Sequence, residues 1–326
     1  VTLVRKIIEA GIEVDAQPTE LDDLETPLLV ALKNNAFNLA QELLRRDANI
    51  HYTCFSSSFI TLEHPTTVLG HLVASAARGS IPRMRVLLNN PQAAQDHATT
   101  FIVEPERQLT AFHLAVRAHK GVFDRIPDGK SSPVAYERAQ YDFVQNRDIL
   151  NELLQHFGSS EGLINARTGE ALFCRTALHL AVDAINLSAV ELLLDRGSLD
   201  TSIQDSNGQT ALDLAHVAAL HQDILCDGPC QRIPLPGRRW HCTTCPDHDI
   251  CQTCYQALHN EQDSRDIHTF EEMSLKQTND AAKKDHKRHI PAEQLDLAQI
   301  IGLLQSRLIR DEQVMDATHA LEELHV

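Results

Sequence analysis

Before residue 222 the apolar positions come in short bursts, each long enough for two or three helical turns and each followed by turn residues. Leu39 to Arg46, Met84 to Leu88, Ile149 to Phe157 and Ala189 to Arg196 space aliphatic side chains three and four residues apart. That spacing predicts one-sided helices packed on neighbours. Gly197, directly after the last of them, is expected to supply a left-handed helix stop. Ahead of each lies a burst of another kind, opened by threonine: Thr26-Pro27-Leu28, Thr67-Val68-Leu69, Thr110-Ala111-Phe112-His113 and Thr176-Ala177-Leu178-His179, with a last copy at Thr210-Ala211-Leu212-Asp213. A threonine hydroxyl accepts from the amides of a first turn, proline is tolerated there, and the Leu/Ala stripe packs on the next helix. Leu3 to Ala10, closed by Gly11, reads as a second helix without its first, so the sequence is expected to be a fragment of something longer.

Thr176 and Thr210 stand 34 residues apart, while the earlier threonines are separated by 41, 43 and 66. The motif around them resembles the ankyrin T-P-L-H-x-A signature, whose period is about 33 residues. Residues 1–222 then read as about five and a half repeats. The gap of 66 residues holds either a degenerate repeat or an insertion near 118–140. The insertion is preferred, because Asp128 to Pro133 reads as a loop and Val134 to Phe157 as one long helix. Such an insertion either extends a binding face or is a drifted loop. His113 and His179, each three residues after a threonine, read as turn hydrogen-bonding residues and not as catalytic bases. The resemblance implies a mostly α helical solenoid whose concave surface takes a protein partner.

Six of the eight cysteines fall between Cys226 and Cys254, as Cys226-x3-Cys230, Cys242-x2-Cys245 and Cys251-x2-Cys254, and His259 and His268 follow. Thiolates two or three residues apart grip one metal from a tight turn, and zinc takes four such ligands in a tetrahedron. Six sulfurs and two imidazoles therefore make two closed structural sites. Paired Cys-x2-Cys spacing points to metal rather than disulfides, in an intracellular chain (cytoplasm or nucleus). Spacing alone leaves open whether the pairs are used in order or crosswise.

Cys226-Asp227-Gly228-Pro229-Cys230, Gly237-Arg238-Arg239-Trp240-His241-Cys242 and Cys245-Pro246-Asp247-His248-Asp249-Ile250-Cys251 resemble a ZZ-type zinc finger, and His268-Thr269-Phe270 resembles its closing His-x-Phe. The resemblance spans residues 223–272. It implies interleaved sites, with Cys226, Cys230, Cys251 and Cys254 on one zinc and Cys242, Cys245, His259 and His268 on the other. Two features depart from the family: three residues part the first cysteine pair where two are usual, and the histidines lie far apart. The resemblance also implies that Asp227, Asp247 and Asp249 read the N-terminal end of a peptide. An α-ammonium seeks carboxylates, and a site of four thiolates is itself negative. The plainer alternative has these aspartates hydrogen-bonding backbone amides of the knuckle.

A formal charge of −16 argues against a nucleic-acid surface as the main business of the chain. Lys283, Lys284, Lys287 and Arg288 form a short basic cluster in a linker over 273–291. No apolar run approaches the ~20 residues of a membrane span. Cys54 and Cys174 lie beside apolar residues and are expected to be buried small hydrophobes. No phosphate loop, nucleophile elbow or paired catalytic carboxylate is recognisable, so a non-enzymatic scaffold or adaptor is expected. The rival reading is a regulatory fragment of a larger enzyme, such as a ubiquitin ligase. In the last segment, 292–326, an apolar stripe from Ala292 to Arg310 predicts a helix that either packs on the preceding modules or serves self-association or a partner.

Overall fold

The computed structural model describes residues 13–15, 25–54, 65–75, 80–91, 102–105, 107–117, 147–220, 224, 226–228, 239–245, 248–251, 254–255, 268–273, 297–311 and 313. The chain divides into two compact units, residues 1–119 with 130–177, and residues 120–129 with 178–326. The expected helix over Leu3 to Ala10, the loop at Asp128 to Pro133 and the start of the helix from Val134 lie outside the described residues.

In the first unit every threonine of the pattern stands directly before a helix. Thr26 precedes α1 (Pro27–Lys33), with α2 (Phe37–Arg45) behind it. A hairpin, β1 (Thr53–Cys54) with β2 (Thr66–Thr67), leads into α3 (Val68–Ser75) and α4 (Ser80–Leu88). A second hairpin, β3 (Ile102–Glu104) with β4 (Leu109–Thr110), leads into α5 (Ala111–Arg117). Helix α6 runs over 147–157, and α7 (Glu161–Ile164) follows. The hydroxyls of Thr26, Thr67 and Thr110 accept from the amides of Leu29, Gly70 and His113, at 3.2, 3.3 and 3.4 Å. Each bond satisfies one amide that a helix start otherwise leaves without a partner.

The helices form two layers. α3 packs on α5 and α2 on α4, while α1 with α2 and α3 with α4 make the pairs. Leu28, Leu29 and Leu32 of α1 and Leu69, Leu72 and Val73 of α3 are buried between the layers. The turn inside a pair uses a left-handed residue. Asn35, with φ of 56°, donates its amide to Leu32 O, and Ala36 N–H reaches Ala31 O. At Gly70 a Cβ would lie 2.0 Å from Thr66 Cγ2 and 2.9 Å from Val103 Cβ, so the hairpin admits only glycine.

The second unit repeats the design with α8 (Ala177–Asp183), α9 (Leu187–Leu194) and α10 (Ala211–Leu220). Ile185 takes the place of Asn35 in the turn at φ of 52°, a costly conformation for a β-branched residue, and Asn186 then caps α9 through Ala189 N–H. Before α10 the Asp205-Ser206-Asn207-Gly208 turn closes around the Asp205 carboxylate, which accepts from the amides of Asn207 and Gln209, and Gly208 supplies a φ of 72°. These are ankyrin-type repeats, and the chain is mostly α.

The histidines of the motif face inward. Thr110 N–H donates to His113 Nδ1 at 3.0 Å, so the ring proton sits on Nε2 and is donated to Ala166 O at 3.1 Å. His179 Nε2 reaches Gln209 O at the same distance. Each ring ties its helix start to a backbone carbonyl further along the chain. In the last copy Asp213 replaces the histidine. Its carboxylate accepts from Thr210 N–H and Oγ1–H at 2.8 and 2.7 Å.

Three details differ from expectation. Gly197 is not left-handed: α9 stops at Leu194, and Asp195 and Arg196 turn the chain through right-handed geometry with amide bonds to Glu191 and Leu193 carbonyls. Cys174 is only half-buried, in a left-handed turn with Phe173, so it is no core hydrophobe. The outer helices begin earlier than their apolar residues indicate, α2 at Phe37 and α4 at Ser80.

Between the two readings of the final apolar stripe, the structure favours packing. Helix α11, over 297–311, buries Leu297, Ile300 and Leu304. Arg307 donates from Nη1 to Leu194 O at 3.1 Å and from Nη2 to Gly197 O at 3.4 Å, while its Nε pairs with Asp311. The guanidinium thus occupies the carbonyls that α9 leaves open at its C-terminus. Arg307→Met should lower unfolding stability by about 1–2 kcal/mol, the worth of a hydrogen bond from a charged group discounted for partial exposure. Thermal melts of the two chains check this, and an unchanged midpoint would show that the contact carries no stability.

Candidate metal centre

The finger is built on a three-stranded antiparallel sheet in the order β6-β5-β7, formed by Asp249–Cys251, Arg239–Cys242 and Phe270–Glu272. Pairing of Trp240 with Ile250 and of Cys242 with Phe270 sets the register. Asp227 adds a short extension at the β6 edge. Its amide donates to Asp249 O at 2.7 Å, and its carboxylate accepts from Asp249 N–H at 2.8 Å. That reciprocal pair holds Cys226 against Cys251. Around them Trp240 stacks on Tyr255 at 3.6 Å between ring centroids, and Tyr255 meets Phe270 edge-on.

Two groups of ligand atoms result. The sulfurs of Cys226, Cys251 and Cys254 lie within 4.8 Å of one another, and so do those of Cys242 and Cys245 with a ring nitrogen of His268. Zinc–sulfur bonds of about 2.3 Å at tetrahedral angles put two sulfurs about 3.8 Å apart, and a sulfur and an imidazole nitrogen about 3.5 Å apart. His268 Nδ1 stands 3.4 Å from Cys242 Sγ and 3.3 Å from Cys245 Sγ, which fits. In the first group the amides of Cys251 and Cys254 donate to the sulfurs of Cys226 and Cys251, at 3.2 and 3.4 Å. Such bonds stabilise thiolate, the form that binds metal. The two groups interleave in sequence. Cys230 and His259 lie outside the described residues, as does Asp247.

The sites differ in surroundings. Cys226, Cys251 and Cys254 are buried with Ile250, and Gly228 packs so closely that a Cβ there would lie 2.7 Å from Cys254 Cβ. The second site sits nearer the surface, with Cys245 and His268 half-exposed. Burial pushes the Cys242 thiol up, but the hydroxyl and amide of Thr244, the His268 ring and the Cys245 amide outweigh it and bring it to about 6. Its hydrogen bond to Cys242, together with burial, pushes the Cys245 thiol up. One sulfur of the pair is thus set toward thiolate. Two zinc ions fit these two groups, each of which brings three described ligand atoms together.

Of the aspartates, Asp227 is exposed and Asp249 is buried. The Asp249 carboxylate takes a two-pronged bond from Arg239, at 2.7 and 2.8 Å, and lies 2.9 Å from His241 Nδ1. Sequence reasoning missed Arg239, His241, Gly228 and Thr244. The alternation of Arg239, His241 and the partner positions of β6 was the available signal, since residues two apart on a strand share a face.

Chelation should unfold the finger while leaving the repeats helical, because structural zinc contributes folding free energy on the order of 10 kcal/mol. Elemental analysis before and after, with circular dichroism at 222 nm as the reporter of helix, checks this. Fewer than two zincs per chain, or a collapse of helical signal on chelation, would overturn the assignment. Gly228→Ala should weaken metal retention at the first group, because the added methyl meets Cys254 rather than open space. A chelator titration of this variant should release that zinc earlier than the parent chain does.

Residues 220–265 match the family model "Zinc finger, ZZ type". The rice protein "Auxin transport protein BIG" is 58% identical over 33 residues, 10% of this chain and 1% of that one. The human "E3 ubiquitin-protein ligase HERC2" is 40% identical over 55 residues, 17% of this chain and 1% of that one. The chain therefore spans about a hundredth of the length of these relatives. A solved structure described as an ankyrin repeat protein aligns with 66% of this chain and 85% of its own, at 20% identity and a TM-score of 0.40. The chain carries a ZZ-type zinc finger together with ankyrin-type repeats.

Proposed function

We propose that the chain is a non-enzymatic adaptor, intracellular, whose repeats over residues 1–222 hold a protein partner and whose finger reads the free N-terminal end of a peptide. One observation carries this reading: among the described residues, the motif histidines and the finger cysteines are spent on structure. His113 and His179 are locked into backbone bonds, and the finger cysteines face one another in ligand groups. The first zinc is assigned to Cys226, Cys230, Cys251 and Cys254, and the second to Cys242, Cys245, His259 and His268. The net charge of −16 disfavours nucleic acid as the main ligand. Among the described residues no helix is long and apolar enough to cross a membrane.

Within the finger the exposed carboxylate of Asp227 is the ligand group, and Asp247 is assigned to the same role. Asp249 is buried, its charge shared with Arg239. A regulatory part of a larger ubiquitin ligase is the second reading, favoured by the similarity to the human E3 ubiquitin-protein ligase, whose match covers 17% of this chain.

Short peptides with a free α-amine should bind the intact chain, and the same peptides N-acetylated should not, because acetylation removes the charge and the ammonium donors. Asp227→Asn should weaken binding at least a few-fold with zinc content unchanged, since a hydrogen bond to a charged group is worth about 1.5–3 kcal/mol. Fluorescence anisotropy on both peptide sets checks this. Equal binding of free and acetylated peptides would sink the peptide-end reading.

A further inference from the structure

The turn between Cys242 and Cys245 holds two threonines, and they are used differently. Thr243 ties the turn to the strand beyond: its amide and hydroxyl both donate to Thr269 O, at 2.8 and 3.0 Å. Thr244 has no such backbone partner among its described bonds. Its hydroxyl oxygen lies 3.1 Å from Cys242 Sγ, on the same sulfur that faces His268 Nδ1. A sulfur destined for zinc is a thiolate and can only accept, so the hydroxyl proton is the donor in the metal-bound finger. Thr244 is exposed, and the bond closes the solvent side of a site whose other two ligands, Cys245 and His268, are half-exposed.

We propose that Thr244 is a positioning residue of the second zinc site: its hydroxyl donates to the Cys242 thiolate, fixes that sulfur's direction and limits the charge it passes to the metal. The proposal rests on Cys242, Cys245 and His268 sharing one ion. The buried first group obtains the same service from backbone amides, those of Cys251 and Cys254, which no substitution removes. The second site depends on a side chain for part of it. Partners of this kind that hold a ligand in place typically cost a metal site about 10–100-fold in affinity when removed. Thr244→Val keeps the shape and deletes the donor, while Thr244→Ser keeps the donor and deletes the methyl.

The experiment uses the full chain loaded with zinc. A chelator titration, quenched with an alkylating agent and mapped by mass spectrometry, reads release of Cys242 and Cys245 separately from Cys226, Cys251 and Cys254. In Thr244→Val the first pair should become reactive at roughly tenfold lower chelator, with the other three unchanged and Thr244→Ser close to the parent. With cobalt(II) in place of zinc, the sulfur-to-metal absorption band should move to longer wavelength in Thr244→Val, because an unbonded thiolate is richer in charge, and return in Thr244→Ser. A merely structural methyl would move neither the band nor its rescue. The proposal is overturned if Thr244→Val behaves as the parent, if Thr244→Ser fails to rescue, or if both groups are released together. If Cys242 and Cys245 are released at different chelator concentrations in the parent chain, the shared-ion premise fails instead.

Discussion

Among the described residues, the buried cluster of the finger contains one aliphatic side chain, Ile250, and three cysteines, Cys226, Cys251 and Cys254. An assembly that small cannot exclude enough water to hold a fold by apolar burial alone. Sulfur held to a common ion has to do what a hydrophobic core does elsewhere. Everything local follows from that constraint. Gly228 is needed because the cysteines must approach closely, Asp227 is needed to pin Cys226 at the sheet edge, and the aromatic trio of Trp240, Tyr255 and Phe270 only roofs what the sulfurs define.

The repeats solve the opposite problem. They have ample aliphatic residues, and their difficulty lies at the helix ends, where amides and carbonyls emerge without partners every dozen residues. Threonine hydroxyls, Asn186 and the Asp213 carboxylate take the amides, and Arg307 takes the Leu194 carbonyl of α9. Polar side chains in this part of the molecule are therefore mostly end-fittings of helices. His113 and His179 are likewise turned inward, onto backbone carbonyls.

The threonine-led helices were legible to the residue, because the cap and the apolar stripe are both local signals that agree. The Cys-x2-Cys pairs were legible from spacing, since nearby thiols can share a turn. Spacing left open which pairs join, and the grouping of Cys226 with Cys251 and Cys254 came only from the resemblance. The rest was hidden for physical reasons. Gly197 misled because glycine permits a left-handed stop without requiring one, and the helix ended in right-handed geometry two residues sooner. Ile185 showed nothing in sequence, because a β-branched residue does not favour the left-handed turn it adopts. Arg307 bonds a carbonyl 113 residues away, and no pattern of charges along one helix reveals such a partner. Asp249 looked like an open acid because its neutralising Arg239 sits on another strand.

The substitution of Asp213 for the histidine gives the array a direction. Histidine has two ring nitrogens, so one can hold its own turn while the other grips what comes next. A carboxylate has only acceptors and can hold its own turn alone. In the vocabulary of polymers, His113 is a bifunctional monomer and Asp213 is a chain terminator. Grafting a further repeat after Leu220 would meet a backbone carbonyl with no donor reaching toward it. The extension would have to bring a histidine to position 213 along with it.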